Sequence, residues 1–159
     1  MAVTKNSIVV LHLNMKMGGV ENQLLHWINY IQAKERFVLL LCKKEGEFLS
    51  RVTPNITVLE VGSYPRGRFD FLWFFQLRKA IRRIDPAIVF SLHADMHNYS
   101  VLLKKRSRKV FLSFPGFPIA GRAFLIYRFF WGKADLIVPV SKGMEKAFLD
   151  KWRISQIRT

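Results

Sequence analysis

The stretch IVVLHLNMKMGGVENQLLHWINYI, residues 8–31, governs the reading of the whole chain. It opens with IVVLHL at 8–13, an apolar run of strand length. A Gly-containing turn follows, and then Leu24, Leu25, Trp27, Ile28 and Ile31 recur at spacings of three and four, as in a helix packed on a sheet. Together they predict a β–α unit, with the pair Gly18–Gly19 where the strand hands over to the helix. Glycines there let the backbone approach a ligand closely, and the free N–H groups of the next helix offer a seat for a phosphate or a sugar hydroxyl. A tight turn and nothing more is the plainer use of the same residues. The spacing is neither GxGxxG nor GxxxxGKS, so a Rossmann cofactor site and a P-loop are both disfavoured.

The unit repeats along the chain. FVLLLC (37–42), ITVLEV (56–61), AIVFSL (87–92), KVFLSF (109–114) and DLIVPV (135–140) are further strand candidates, apolar on both pleat faces as in a parallel sheet covered by helices. Helices are predicted at about 46–52, 69–84, 96–105, 122–131 and 142–151, the last behind Ser141 as its N-cap. Alternation of this kind predicts a doubly wound, three-layer α/β domain over residues 1–159, Rossmann-like, with a mostly parallel sheet and right-handed crossovers. Pro139 cannot donate to a ladder, so the last strand is expected to be an edge or to end early. The closing RISQIRT begins like another strand, from which a truncated chain is expected.

Lys and Arg number 26 against 11 Asp and Glu, a formal charge of +15 that calls for polyanions or anionic surfaces as partners. Cys42 is the single cysteine and lies in an apolar run; it reads as a buried small hydrophobe, excludes an internal disulfide and fits a reducing cytoplasmic home. Neither a secretory signal nor an 18-residue stretch free of charge appears.

Polar candidates cluster where predicted strands end, the edge at which open parallel sheets bind ligands. Glu21 lies in the first turn of the first helix, where the dipole favours a carboxylate; capping and ligand contact are both open to it. His93 follows AIVFSL, and an imidazole there can hydrogen-bond a sugar or phosphate or take a proton near neutral pH. Asp95 and His97 follow it closely, but residues two and four apart do not by themselves converge on a metal, and none is predicted. His12 and His26 read as core, surface or packing residues. SFPGFPIAG at 113–121, with Pro115 and Gly116, makes a shaped loop on the same edge.

A second feature lies in FDFLWFFQLRKAIRRIDP (69–86). At 100° per residue Trp73, Phe74, Leu77, Ile81 and Ile84 gather on one side and Arg78, Lys79, Arg82 and Arg83 on the other, yet Phe71, Leu72 and Phe75 fall on the basic side. Aromatics beside cations suit an anionic membrane surface, with rings in the headgroup zone and each cation worth about 1 kcal/mol there. Packing against a neighbouring loop or domain is the alternative. GRAFLIYRFFWGK (121–133) repeats the mixture and KKRSRK (104–109) adds a charge run. Nucleic acid would welcome that charge, but no zinc pattern, RNP-like sequence or helix-turn-helix supports it.

These residues carry a resemblance. LHLNMKMGGVENQLLHWI with its GGxE loop, DPAIVFSLH and KADLIVPVSKGM together resemble the N-terminal, acceptor-side domain of retaining glycosyltransferases of the GT-B fold, the large family 4 group. The resemblance implies half of a GT-B fold, with no cofactor. The complete protein would transfer a sugar from a nucleoside diphosphate sugar to a lipid-linked or saccharide acceptor with retention, in a cleft against a second, nucleotide-binding domain. It implies that Gly18 and Gly19 approach the donor diphosphate, that the isolated domain is inactive, and that the protein sits in the cytoplasm, peripherally on the inner membrane face. Many relatives carry Thr-x-His after the strand matching KVFLSF, whereas this chain has Ser113, Phe114 and Pro115. Proline cannot do what imidazole does, so either His93 or a backbone group substitutes, or activity is altered or absent. The competing class is a non-catalytic module of Rossmann-like fold that binds anionic membrane or protein.

Overall fold

The computed structural model describes residues 7–31, 36–67, 70–114, 124–150 and 157. Strands β1 (Ile8–His12), β2 (Phe37–Leu41), β3 (Thr57–Glu60), β4 (Ile88–Ser91), β5 (Lys109–Phe114) and β6 (Leu136–Pro139) form one sheet in the order β3-β2-β1-β4-β5-β6. Every neighbouring pair is parallel, so all six strands end at one edge. The chain moves outward from β1 in one direction and from β4 in the other, so the switch point lies between these two neighbours.

Helices α1 (Gly19–Ile31), α2 (Phe71–Ile84), α3 (Ala94–Leu102), α4 (Phe124–Trp131) and α5 (Lys142–Asp150) occupy two layers. Leu24, Leu25 and Ile28 of α1 pack on Val10, Leu39 and Leu41. On the opposite face Trp73, Leu77, Ile81 and Ile84 of α2 and Met96 and Tyr99 of α3 cover Val9, Leu11, Leu40 and Val89. That layer continues with Trp131, Met144 and Phe148 over Val110, Leu112 and Ile137. Leu77 and Ile81, both fully buried, each contribute about 2 kcal/mol by leaving water. Cys42 is buried as expected, and burial pushes its thiol up to about 12. The three-layer, parallel α/β reading thus describes the molecule.

Helix ends follow their capping residues. Asp70 accepts from the Trp73 N–H at 3.0 Å and starts α2, and Ser141 Oγ accepts from the Met144 N–H at 3.2 Å to start α5. α3 begins two residues before the expected 96 because His93 caps it, and it stops at Leu102 because the chain turns back on itself, pairing Lys105 with Arg108. The helical segment expected at 46–52 is a 3-10 helix, Glu47–Arg51, between Gly46 at φ 118° and an extended Val52. KKRSRK is a surface run only in part. Arg108 is buried, donating to the Pro86 and Leu103 carbonyls at 3.3 Å and to Asp85 Oδ1 at 3.1 Å. β6 ends at Pro139, as proline's missing donor requires. The expected loop residues Pro115 and Gly116, and RISQIRT apart from Ile157, lie outside the described residues.

Candidate functional site

Because β1 and β4 are neighbours, the loops after them meet at the switch point. His12 ends β1 on the face that α1 covers and is fully buried. Its Nε2 lies 2.9 Å from Glu21 Oε1 across the turn. Burial lowers the His12 pKa more than Glu21 raises it, so the ring is neutral, donates its Nε2–H to Glu21, and leaves Nδ1 buried without a partner. Gly18 explains how the carboxylate gets there. A Cβ on Gly18 would collide with Glu21 Oε2, so the first glycine leaves room for an acid that folds back over its own turn. Gly19 does something different. It is exposed, opens α1, and a Cβ there would meet nothing within 4 Å, so no side chain crowds the start of the helix at that point.

His93 stands beside this turn, its ring centroid 6.1 Å from that of His12 in an edge-on arrangement. Its Nδ1 accepts the Asp95 N–H at 3.3 Å, and the Asp95 carboxylate is 3.6 Å away. With Nδ1 engaged as acceptor, Nε2 is left as the donor nitrogen of the ring. Asp95 itself is exposed in the first turn of α3, its backbone N–H capped by His93. One turn along α3, His97 is fully buried, its Nδ1 2.9 Å from Ser91 Oγ and its ring against Phe114 and Trp131. Burial pushes His97 down to about 3, with His93 acting the same way and the Ser113 carbonyl opposing. Of the histidines singled out near 93, His97 therefore belongs to the core. Among the described residues no group of three or more His, Cys, Asp or Glu is placed to hold a metal.

The Gly loop is held from outside. The Met15 N–H donates to the Glu45 carbonyl at 2.9 Å, the Phe48 N–H to the Met15 carbonyl at 3.0 Å, and the Met17 N–H to Glu47 Oε2 at 2.9 Å. Behind them Asn14 Nδ2 donates to Tyr64 Oη at 2.6 Å, and Tyr64 donates to Glu45 Oε1 at 2.6 Å. The Tyr64 hydroxyl and the Lys16 ammonium, 3.1 Å away, hold the Glu45 carboxyl below its usual range. Local spacing gave no sign of Tyr64 or Gly46, because both act through contacts between loops. Lys16, Lys43 and Lys44 are exposed on this edge and set a positive potential around it.

Away from the edge, α2 turns Phe71, Leu72 and Phe75 to solvent at 70%, 76% and 59% exposure, on the same side as exposed Arg78, Lys79, Arg82 and Arg83. The helical wheel is therefore realised in space, and Phe75 with the four cations lines a shallow concavity. No helix among the described residues is long and apolar enough to cross a membrane.

A single parallel sheet in this strand order, with its site at the switch point, is a Rossmann-like unit matching half of a GT-B fold. The profile of Glycosyltransferase Family 4 matches residues 17–159, and the chain belongs to that family. The fold is similar to that of a glycosyltransferase from Rickettsia africae ESF-5 (TM-score 0.73, 16% identity, over 98% of this chain and 42% of that one). It is also similar to the lipopolysaccharide outer core galactosyltransferase WaaB in its apo form (TM-score 0.71, 15% identity, 96% and 44%). The chain thus spans less than half the length of either structure. No curated protein matches significantly.

Proposed function

We propose that the complete protein transfers a sugar from a nucleoside diphosphate sugar to the hydroxyl of a lipid-linked or saccharide acceptor, with retention, and that this domain supplies the acceptor-side wall of the cleft. The observation that carries the reading is the exposed Gly19 at the start of α1, with His93 next to His12 at the switch point of a family 4 domain. Negative charge grows on the leaving diphosphate in the transition state, and preorganised N–H groups at Gly19 stabilise it there. Glu21 keeps the turn in shape through His12. His93 Nε2–H orients a ligand oxygen. A second, nucleotide-binding domain completes the site, so the 159-residue chain alone has no turnover. The test is an NMR assay of the anomeric product made by the parent enzyme. An α product from an α donor is expected, and His93→Ala lowers kcat/KM about ten-fold, the loss of one hydrogen bond. Inverted product, or an unchanged His93→Ala enzyme, overturns the corresponding assignment.

The exposed stripe on α2 supports peripheral attachment to the cytoplasmic membrane face, with Phe71 and Phe75 in the headgroup zone and Arg78, Lys79, Arg82 and Arg83 on lipid phosphates. Sedimentation with anionic vesicles is expected at low salt, weakened at physiological salt and absent with neutral vesicles. Alanine at Phe71, Phe75, Arg78 and Arg82 together lowers the bound fraction at least about ten-fold, four contacts at about 1 kcal/mol each. No binding even at low salt returns those aromatics to a protein interface.

A further inference from the structure

One hydroxyl ties together the loops that follow β1, β2 and β3. Tyr64 lies beyond the end of β3, its ring packed on the core and beneath the Lys43 ammonium, 5.5 Å from the ring centroid. Its hydroxyl accepts from Asn14 Nδ2 in the loop after β1 and donates to Glu45 Oε1 in the loop after β2, both at 2.6 Å. Burial and then Glu45 raise the Tyr64 pKa, so the hydroxyl keeps the proton it donates. The loop that carries Tyr64 is itself anchored, because the buried Trp73 of α2 donates its Nε1–H to the Ser63 carbonyl at 2.6 Å.

Both partners of the hydroxyl reach the backbone that leads into the Gly pair. Asn14 is engaged at each end of its amide, with Oδ1 accepting from the Lys16 N–H at 3.1 Å. Glu45 accepts from the Met15 N–H at 2.9 Å through its carbonyl, and its carboxylate lies 3.1 Å from Lys16 Nζ. Gly18 and Gly19 follow directly after Met17. The pairing of β1 with β2 continues past the strands without the hydroxyl, since the Cys42 N–H donates to the His12 carbonyl at 3.1 Å and the Lys43 N–H to the Leu13 carbonyl at 3.2 Å. What the hydroxyl adds is restraint on the loop after β1. Two short hydrogen bonds, one of them to a carboxylate, fix direction as well as distance. At the edge where open parallel sheets bind ligands, such restraint sets the place of the groups that meet the ligand.

We propose that Tyr64 is a positioning residue for sugar transfer, its hydroxyl holding the segment Asn14–Met17 so that Gly18 and Gly19 meet the leaving diphosphate without rearrangement. The role rests on the transferase reading. A turn already in place lowers the barrier and leaves ground-state binding largely as it was, so losing it falls on kcat. The test uses the parent enzyme and two readouts. Tyr64→Phe keeps the ring on the core and removes only the hydroxyl, and Tyr30→Phe, at an exposed tyrosine of α1, is the control. Amide hydrogen exchange at Met15, Lys16 and Met17, whose N–H groups are all bonded, is expected to quicken about ten-fold in Tyr64→Phe and to stay unchanged in Tyr30→Phe. Release of nucleoside diphosphate from a panel of UDP-, GDP- and dTDP-sugars reads turnover. There kcat is expected to fall about ten-fold in Tyr64→Phe with the donor KM within about two-fold, the loss of one hydrogen bond. Glu45→Gln keeps an acceptor for the hydroxyl and gives up only an exposed ion pair with Lys16, so it stays within about three-fold of the wild type, whereas Glu45→Ala matches Tyr64→Phe. Unchanged exchange at these amides overturns the proposal. Faster exchange with unaltered kinetic constants, or with a loss confined to KM, overturns it as well. A wild type that releases no nucleoside diphosphate from any of the sugars overturns the transferase reading and the role built on it, and the exchange measurement then reports the tether alone.

Discussion

Gly46→Ala is expected to lower the melting temperature by about 10 °C, from about 3 kcal/mol of lost stability in a domain of this size. Two causes add. Gly46 holds φ at 118°, which an L side chain adopts only with strain of about 1–2 kcal/mol. A Cβ there would also run into the backbone of Met15 and Lys16, which cannot swing aside as a flexible side chain would. Gly62 separates the two causes, for it has φ 111° but nothing within 4 Å of where a Cβ would stand. Gly62→Ala should therefore lose only the conformational part, about 1 kcal/mol. Thermal melts of the two variants beside the wild type make the comparison. Equal small losses would mean that the Gly46 turn does not press on the loop after β1. A large excess for Gly46→Ala also reports on the site, since the displaced segment Met15–Lys16 leads directly into Gly18 and Gly19.

What could be seen in the sequence divides along the same line between local and non-local causes. β1 and β2 were legible because strands buried on both faces are apolar at nearly every position, as Val9, Val10, Leu39 and Leu40 are, whereas the largely exposed β3 was legible only from the pattern of ITVLEV. The wheel of α2 was legible because Trp73, Leu77 and Ile81 must share a stripe. Gly18, Glu21 and His93 were legible as candidates, because each sits at a strand-to-helix junction. Their partnerships were not. That Glu21 answers His12 depends on the angle at which α1 leaves the sheet, and that His97 answers Ser91 depends on α3 facing the opposite layer. Arg108 looked like one more cation in KKRSRK, and only the fold brings to it the Asp85 carboxylate and Pro86 carbonyl, at the left-handed turn of φ 44°, together with the Leu103 carbonyl from the end of α3. Gly46 was silent because a steric demand between two loops leaves no mark in the spacing of either.

Acid sensitivity follows from one of those hidden partnerships. His97 is held neutral in the folded protein with its pKa at about 3, whereas an unfolded chain would titrate it near the ordinary 6.5. Below about pH 6.5 the unfolded state binds a proton that the native state refuses, so stability falls as pH falls. The contribution is whole above the unfolded pKa and is lost progressively as pH drops toward the folded one. By pH 5 the loss is about 2 kcal/mol, at about 1.4 kcal/mol for each unit below 6.5. His12, also lowered by burial, adds in the same direction. Among the described residues the groups around His97 supply no countercharge, being Ser91, Phe114, Trp131, the Ser113 carbonyl and another histidine, His93. Growing positive charge on a +15 chain also destabilises it in acid, so the measurement needs a comparison rather than a single curve. Urea unfolding from pH 7.5 to 4.5 is compared for the wild type and His97→Gln, which cannot titrate and keeps a polar group near Ser91. The wild type is expected to lose about 2 kcal/mol more than the variant between pH 7 and 5. Parallel curves would mean that His97 takes its proton in the folded state, and that the aromatic wall between α3 and β5 opens far enough to admit the charge.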